Sequence, residues 1–580
     1  MSSNTATPAP RGYSKSSVAI PAEPQPKKIV ICCDGTWQSA TSLDPTKGVS
    51  SNVARLSRVL ANAGIERKKE PSDPDKVWQQ VVYYDAGIGT GDVGPLEPLR
   101  QGGTGSGLNE NIIEAYNFIV NNYAPGDKLY FFGFSRGAYT VRAVAGLVCH
   151  IGVLKPSFMS AFLKAYAVYL HPTNLYPKEH KPFSTCKAWV EFLQVNAGVK
   201  YANCLPEKVD IDVIGVWDTV GSLGVPDLGH LWKYHKADPS VYECYDTELH
   251  PQIRHAYQAL ALDEKRAPFS PSVWKLKGRP AVLKPDGTWG KPDVVVGQSE
   301  PTPTNLLQCW FPGAHVNIGG GSSSNAGPNP TGDREQLASI SYAWMLDRIR
   351  PFLALSEDAL QAQLDEFKAL AEGRLIKSDA VHNETPSNGH SETAQLLSDN
   401  GKNVAAAYEQ KGWSIWDAPK YLKSLLVKGS NAIMPVGYAL GSVDESYTTM
   451  YQFMGKPEIR TPGQYHDYKI GEFTTERVHP SVFYRQVFER SLGKKEHEIY
   501  QPTSMPGWKR VKEEAGLGRD FKQRKGYKWV LKGENGETDR FLWEFEIGDM
   551  PEKTSIEKRL LEVSWAKEVH EKVKHEWMTL

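Results

Sequence analysis

The sequence carries no excess of charge of either sign: 67 Lys and Arg residues balance 67 Asp and Glu over 580 residues. Without a basic bias the chain lacks the electrostatic footprint of a phosphate-backbone binder, so nucleic acid is not an expected partner. Cysteine is scarce and scattered. The seven cysteines include an adjacent pair, Cys32 and Cys33, but no CxxC and no His–Cys ligand spacing, which argues against a disulfide framework and a zinc site and gives a reducing, cytoplasmic setting as the expectation. No stretch reaches the ~18 uninterrupted apolar residues of a membrane-crossing helix. Residues 1–26 are rich in Ser, Pro and Ala, with no apolar core of signal-peptide length, and are expected to form a disordered tail.

What is present begins at Lys27. "KKIVICCDGTW" is a β-branched run ending in Asp-Gly, the pattern of a buried strand feeding a tight loop. "KVWQQVVYYDAGIGTG" repeats strand-then-glycine at 76–91, and "LNENIIEAYNFIVNNY" sets Leu108, Ile112, Ala115, Ile119 and Tyr123 at helical spacing. Strands "KLYFF", "VDIDVIGVW" and "TNLLQCWF" continue the alternation with helices, which predicts an α/β fold: a mostly parallel, α/β-hydrolase-like sheet with helices on both faces. The catalytic domain is expected over 27–355. A helical insertion or lid follows at 356–430, with Leu360, Leu364, Phe367 and Leu370 striping "SEDALQAQLDEFKAL". Residues 431–580 form a mixed C-terminal region packed on the catalytic domain, with a hairpin around Asn535-Gly536.

Within "KLYFFGFSRGAYTVRAVAGLV" the stretch GFSRG fits G-x-S-x-G, the nucleophile elbow, where a strained strand-to-helix turn lifts a serine hydroxyl above the sheet. An apolar strand precedes Ser135 and a helix-length apolar segment follows it, as that turn requires. Gly133 and Gly137 supply the small neighbours. A serine hydroxyl needs a base and an orienting acid, in the order Ser, Asp, His for this architecture. Asp218 ends the strand "VDIDVIGVW" and His315 follows the strand "LLQCWF", both at the sheet edge where α/β proteins build sites. His255, read as lying in a helical pattern, and His479, beyond the expected sheet, are weaker bases. Of the two backbone donors an oxyanion needs, one is expected from Arg136, the residue after the nucleophile. The "CDGTW" loop, at Gly35 and Thr36, is the candidate for the other. "GTGDVG", with Gly89, Gly91 and Gly94, matches G-x-G-x-x-G but leads into a proline-containing stretch rather than a helix, so it reads as a glycine-rich loop. No cofactor and no metal is expected.

The string "CDGTW", "YYDAGIGTG", "GFSRGAYTVRAVAGLV", "VIGVWDTVGSLG", "ALALDEKRAPFSP" and "WFPGAHVNIGGG" resembles the DUF2235 α/β-hydrolases, the family that includes catalytic domains of Tle1-class type VI secretion phospholipase effectors. In such proteins the elbow serine, the aspartate of the "WDTV" loop and the histidine of the "GxH" loop form the triad; the resemblance carries these roles onto Ser135, Asp218 and His315. It implies a lipid substrate and phospholipase-like ester hydrolysis; with no membrane span and no net charge, the chain is then expected to reach lipid through an exposed apolar surface, a peripheral membrane contact. The sequence departs from the family pattern at Asn317, where an aspartate is usual, and 356–430 has no counterpart. A short-chain esterase or thioesterase, and a catalytically idle scaffold, stay open as alternatives. Trp413 and Trp416, in "KGWSIWDAPKYLKSLL", have the composition of an interfacial helix, against the alternative that the insertion packs on the core.

Overall fold

The computed structural model describes residues 26–35, 50–66, 76–86, 106–159, 162, 209–220, 249–277, 282–283, 289–290, 304–321, 336–371, 438–441, 443, 457–466, 472–491, 494–517, 523–533, 539–545 and 555–562. In chain order the catalytic part runs β1 (Lys27–Cys33), α1 (Asn52–Val59), β2 (Ala63–Glu66), β3 (Lys76–Asp85), α2 (Ser106–Asn122), β4 (Lys128–Phe134), α3 (Ser135–Ile151), β5 (Ile211–Trp217) and β6 (Ile253–Ala261). Three two-residue strands, β7 (Leu276–Lys277), β8 (Val282–Leu283) and β9 (Trp289–Gly290), precede β10 (Asn305–Phe311), α4 (His315–Gly319), α5 (Gln336–Ile349) and α6 (Glu357–Ala371). The C-terminal part contributes β11 (Glu472–Phe473), β12 (Glu476–Val478), α7 (Ser481–Ser491), β13 (Lys509–Leu517), β14 (Gln523–Leu531), β15 (Arg540–Glu544) and α8 (Ile556–Glu562).

Among the described residues one 11-stranded sheet has the order β13-β14-β15-β12-β10-β6-β5-β4-β1-β3-β2. From β3 through to β15 every neighbouring pair is parallel; β2 at one end and the β13-β14-β15 meander at the other are antiparallel. The protein is thus α/β with a largely parallel sheet and interleaved helices, consistent with an α/β-hydrolase fold. The central strands are apolar on both faces because both are covered, as parallel sheets require. Val30, Cys32, Tyr130 and Phe132 face one core cluster, which they share with α1, α5 and α6. Ile29, Ile31, Leu129 and Phe131 face the other, shared with α2 and α3. The chain leaves β1 for β3 on one side and later returns to β4 on its other side. That reversal opens a crevice at the C-terminal ends of β1 and β4, the topological switch point where such sheets bind ligands.

One expectation changes. His255 lies on β6, not in a helix: "IRHAYQALA" has no clean period, being buried at every position from Ala256 on as the strand enters the core, and so short a run cannot separate strand from helix. Its ring packs on Phe352 and meets Asn305. For α6 the core-packing alternative holds. Leu360, Leu364 and Phe367 are buried in the same cluster as α1 and α5, a burial that stabilises by roughly 1.5–3 kcal/mol per side chain, so this helix offers no apolar face to a lipid surface. Trp413, Trp416, the Asn535-Gly536 turn and the loop of Gly89, Gly91 and Gly94 lie outside the described residues. So does residue range 372–430 of the expected insertion. The strands flanking that turn do pair antiparallel, Leu531 opposite Arg540.

Candidate active site

Three loops at the C-terminal edge of the sheet converge on one point. Ser135 is the first residue of α3, directly after β4, and holds φ at 57°, a left-handed conformation that costs energy in a residue with a side chain. The glycines explain how the turn can be so tight. A Cβ on Gly133 would sit 2.5 Å from the Gly137 carbonyl oxygen and 2.7 Å from Ala138 Cα, and one on Gly137 would overlap the carbonyl oxygens of Cys33 and Asp34. Only glycine lets α3 start so close to both β4 and the end of β1. Asp218 follows β5, also at positive φ, 41°, with its N–H donating to Ala259 O at 2.8 Å. His315 opens α4 after β10, and Asn317 Oδ1 accepts the Ala314 N–H at 3.0 Å, fixing the entry to that helix. The departure at Asn317 therefore has a structural reading: the oxygen of an amide serves the capping bond as a carboxylate would. Strain is concentrated here, since Ser135 and Asp218 are two of the three non-glycine residues with positive φ among the described residues.

His315 Nε2 stands 2.8 Å from Ser135 Oγ, and Nδ1 stands 2.7 Å from Asp218 Oδ2. An ionised carboxylate can only accept, so Nδ1 carries the ring proton and Nε2 is left to accept from the serine hydroxyl. Ionisation of Asp218 is secured by its surroundings. Complete burial pushes its carboxyl up, but the Arg460 guanidinium and then the His315 hydrogen bond outweigh this and hold it well below the usual carboxylate range. Arg460 grips both oxygens, Nη1 to Oδ1 at 2.6 Å and Nη2 to Oδ2 at 2.9 Å, and Ala261 N–H donates to Oδ1 at 3.0 Å. Burial is also the largest influence on His315. It lowers the imidazole pKa from its ordinary value against the opposing pull of Asp218, so the ring is neutral at neutral pH. Phe134 and Phe269 flank it, with ring centroids at 4.8 and 4.9 Å.

Behind the histidine, the stretch after β6 supplies two acids. Glu264 Oε2 accepts the His315 backbone N–H at 3.2 Å and is paired with Arg266. Its burial is overcome by that arginine, leaving its pKa lowered to about 2. Asp263 Oδ2 accepts the Gly313 N–H at 2.7 Å and the Tyr500 hydroxyl at 2.5 Å. The consecutive acids of "ALDEK", at a strand's C-terminal end, were the available signal for this support. Arg460 had none: it sits in an unremarkable polar stretch far along the chain.

The oxyanion expectation is only partly accommodated. Arg136 stands in the first turn of α3, where backbone N–H groups project from the helix N-terminus. Gly35 abuts the elbow, so that a Cβ there would lie 3.3 Å from Ser135 Cβ, yet its N–H donates to Asp34 Oδ1 at 2.8 Å and is not aimed at a substrate oxygen. Thr36 lies outside the described residues. Asp34 itself is buried, which raises its pKa to about 6 against hydrogen bonds from Ser51, Tyr84 and Gly35. His479 is committed elsewhere: Nδ1 lies 2.8 Å from Ser481 Oγ, Nε2 lies 2.6 Å from Glu557 Oε1, and the ring stacks on Phe311 and Phe545. Among the described residues no group of three or more His, Cys, Asp or Glu side chains could hold a metal ion, and no helix is long and apolar enough to cross a membrane.

Residues 27–348 match the family model of the type VI secretion phospholipase effector Tle1-like catalytic domain. The chain belongs to that family. Among curated proteins, Uncharacterized protein YEL023C of Saccharomyces cerevisiae is 24% identical over 265 residues, covering 42% of this chain and 32% of its own; the chain thus matches about a third of that relative's length. Among solved structures, an uncharacterized protein from Pseudomonas aeruginosa is 15% identical, covering 88% of this chain and 71% of its own, at a TM-score of 0.26.

Proposed function

We propose that the protein is a serine hydrolase that cleaves carboxylic esters of phospholipids or closely related lipids, with Ser135 as nucleophile, His315 as general base and acid, and Asp218 as the orienting carboxylate. The observation that carries the reading is the relay Ser135 Oγ, His315 Nε2, His315 Nδ1, Asp218 Oδ2, with links of 2.8 and 2.7 Å, at the C-terminal edge of the sheet.

Chemically, Ser135 Oγ attacks the ester carbonyl carbon as its proton passes to Nε2, giving a tetrahedral oxyanion and an imidazolium beside ionised Asp218. The Arg136 N–H at the start of α3 receives the oxyanion; one such donor is typically worth 10²–10³ in rate. Collapse breaks the ester C–O bond, and Nε2–H protonates the departing alkoxide, leaving an acyl-serine. Water then attacks that acyl group with Nε2 taking its proton, and a second collapse releases the carboxylic acid and restores the serine. Glu264 and Asp263 hold the histidine loop while charge appears on the ring. A reducing, cytoplasmic setting is part of this proposal, resting on the absence of a disulfide-type cysteine pattern in the sequence.

The test is hydrolysis of phospholipid vesicles beside p-nitrophenyl esters of increasing acyl length, with the released acids identified by mass spectrometry. Release of fatty acid from vesicles, faster than from acetyl or butyryl esters, is the expected result. Turnover of short esters alone would make the protein a short-chain esterase or thioesterase, and no turnover with any ester would leave an idle hydrolase-fold scaffold.

A further inference from the structure

Asp218 has more partners than its role toward His315 requires, and the strongest comes from outside the segment that matches the family model. Arg460 reaches it from residues 457–466, more than a hundred residues beyond 348. The guanidinium is almost completely buried and its contact with Asp218 is bidentate. Each Nη also donates to a backbone carbonyl, Nη1 to Ala261 O at 3.0 Å and Nη2 to Phe269 O at 2.7 Å, while the buried Nε has no hydrogen-bond partner among the described residues. Arg460 is therefore fixed by the end of β6 and the turn after it, independently of Asp218. The strand of chain carrying it is pinned on both sides. Glu458 N–H donates to Lys265 O at 2.9 Å and Ser270 Oγ donates to Glu458 Oε1 at 2.8 Å, while Gly463 N–H donates to Glu476 Oε2 at 2.6 Å.

We propose that Arg460 is a positioning residue of the hydrolytic site: its fork fixes Asp218 in the plane that meets His315 Nδ1, and its charge offsets that of the carboxylate. The C-terminal region thereby completes a site whose serine, histidine and aspartate all come from the family-matched part. The inference rests on the hydrolase reading above. Two features carry it beyond simple stabilisation. Buried ion pairs add little net stability over apolar residues of similar size, and a planar bidentate contact specifies orientation in a way a point charge does not. The electrostatic consequence has a definite sign. The charged groups facing the Asp218–His315 pair are Arg460, then Glu264 and Arg266 from the stretch after β6. Taking away the Arg460 charge exposes the imidazolium to the full field of Asp218 and raises the histidine pKa, on the order of one unit for a charge at this range.

The experiment compares wild type, Arg460→Gln and Arg460→Lys by the pH dependence of fluorophosphonate labelling and of kcat/KM on p-nitrophenyl butyrate, with thermal unfolding of each recorded alongside. Arg460→Gln is expected to lose ~100-fold in kcat at neutral pH, with little change in KM, and to show its acid limb about one unit higher. Arg460→Lys keeps the charge but not the fork, so its limb should stay at the wild-type pH while kcat falls ~10-fold. If Arg460→Gln does not fold, the lysine variant decides alone: wild-type kcat in a folded Arg460→Lys protein overturns the positioning role. An unshifted limb in folded Arg460→Gln overturns the electrostatic one. Absence of labelling in the wild type is a different result, which sinks the hydrolase reading and this inference together, whereas identical labelling in all three proteins sinks the role of Arg460 only.

Discussion

Replacing Asp218 with asparagine tests the chemistry of the buried pair with almost no change of volume. The carboxylate accepts four hydrogen bonds, from His315 Nδ1, from both Arg460 Nη atoms and from Ala261 N–H. An asparagine offers one acceptor oxygen and one donor NH2 group in the same plane. If its oxygen stays on the side of Ala261 and Arg460 Nη1, its NH2 faces His315 Nδ1, which then becomes an acceptor. The ring proton moves to Nε2, and the atom 2.8 Å from Ser135 Oγ can no longer take the serine proton. Rotating the amide the other way points NH2 at two donors that cannot accept, Arg460 Nη1 and the Ala261 N–H. The first arrangement is the less costly, so kcat should fall on the order of 10⁴-fold through the wrong tautomer. Stability should fall too, because Arg460 is left buried without a counter-charge, a loss of about 3–5 kcal/mol for a broken buried pair. The two effects are read separately, by kcat/KM on a p-nitrophenyl ester at a temperature where the variant is folded, and by urea denaturation. A folded Asp218→Asn protein with more than a tenth of wild-type activity would refute the assignment of the ring proton to Nδ1.

Other outcomes follow from the same geometry. His479→Ala should cost about 3 kcal/mol in urea unfolding, since it empties a buried ring site and leaves Glu557 Oε1 to the Tyr438 hydroxyl, yet leave kcat within about threefold when folded; a collapse of kcat in folded protein would mean the base has been misassigned. The pH dependence of kcat/KM should have an acid limb below the ordinary histidine value of 6.5, because burial lowers the His315 pKa. His315 must be neutral to act, so activity is complete at neutral pH and is lost as pH falls through that lowered value; a limb above about 7 contradicts the reading.

Much of this was legible in the sequence for reasons that can be stated residue by residue. The parallel strands announce themselves because both faces are covered and the runs from Ile29 to Cys33 and from Leu129 to Phe132 are therefore apolar throughout. The elbow is legible because its chemistry forbids side chains at positions 133 and 137. Asp218 and His315 could be picked because each directly follows such a run. What escaped depends on tertiary approach. Arg460 is one arginine among many in a polar stretch, and nothing local says that its fork ends on a carboxylate 242 positions away. His255 was misplaced because a strand entering the core has no period to distinguish it from a helix. Gly35 looked like an oxyanion donor because a glycine permits close approach, and the sequence did not reveal that the neighbouring Asp34 side chain would take up its N–H. The α6 stripe was correctly apolar, but a stripe does not tell core from interface.

Labelling with a fluorophosphonate, followed by peptide mapping, tests the central claim most directly. The account predicts a single stoichiometric adduct on the peptide containing Ser135, abolished in Ser135→Ala. That variant, which removes one hydroxyl at the start of α3, should keep its thermal unfolding temperature and lose on the order of 10³-fold or more of the ester hydrolysis. An adduct on another serine, or a Ser135→Ala protein that still labels and hydrolyses as the wild type does, would contradict it.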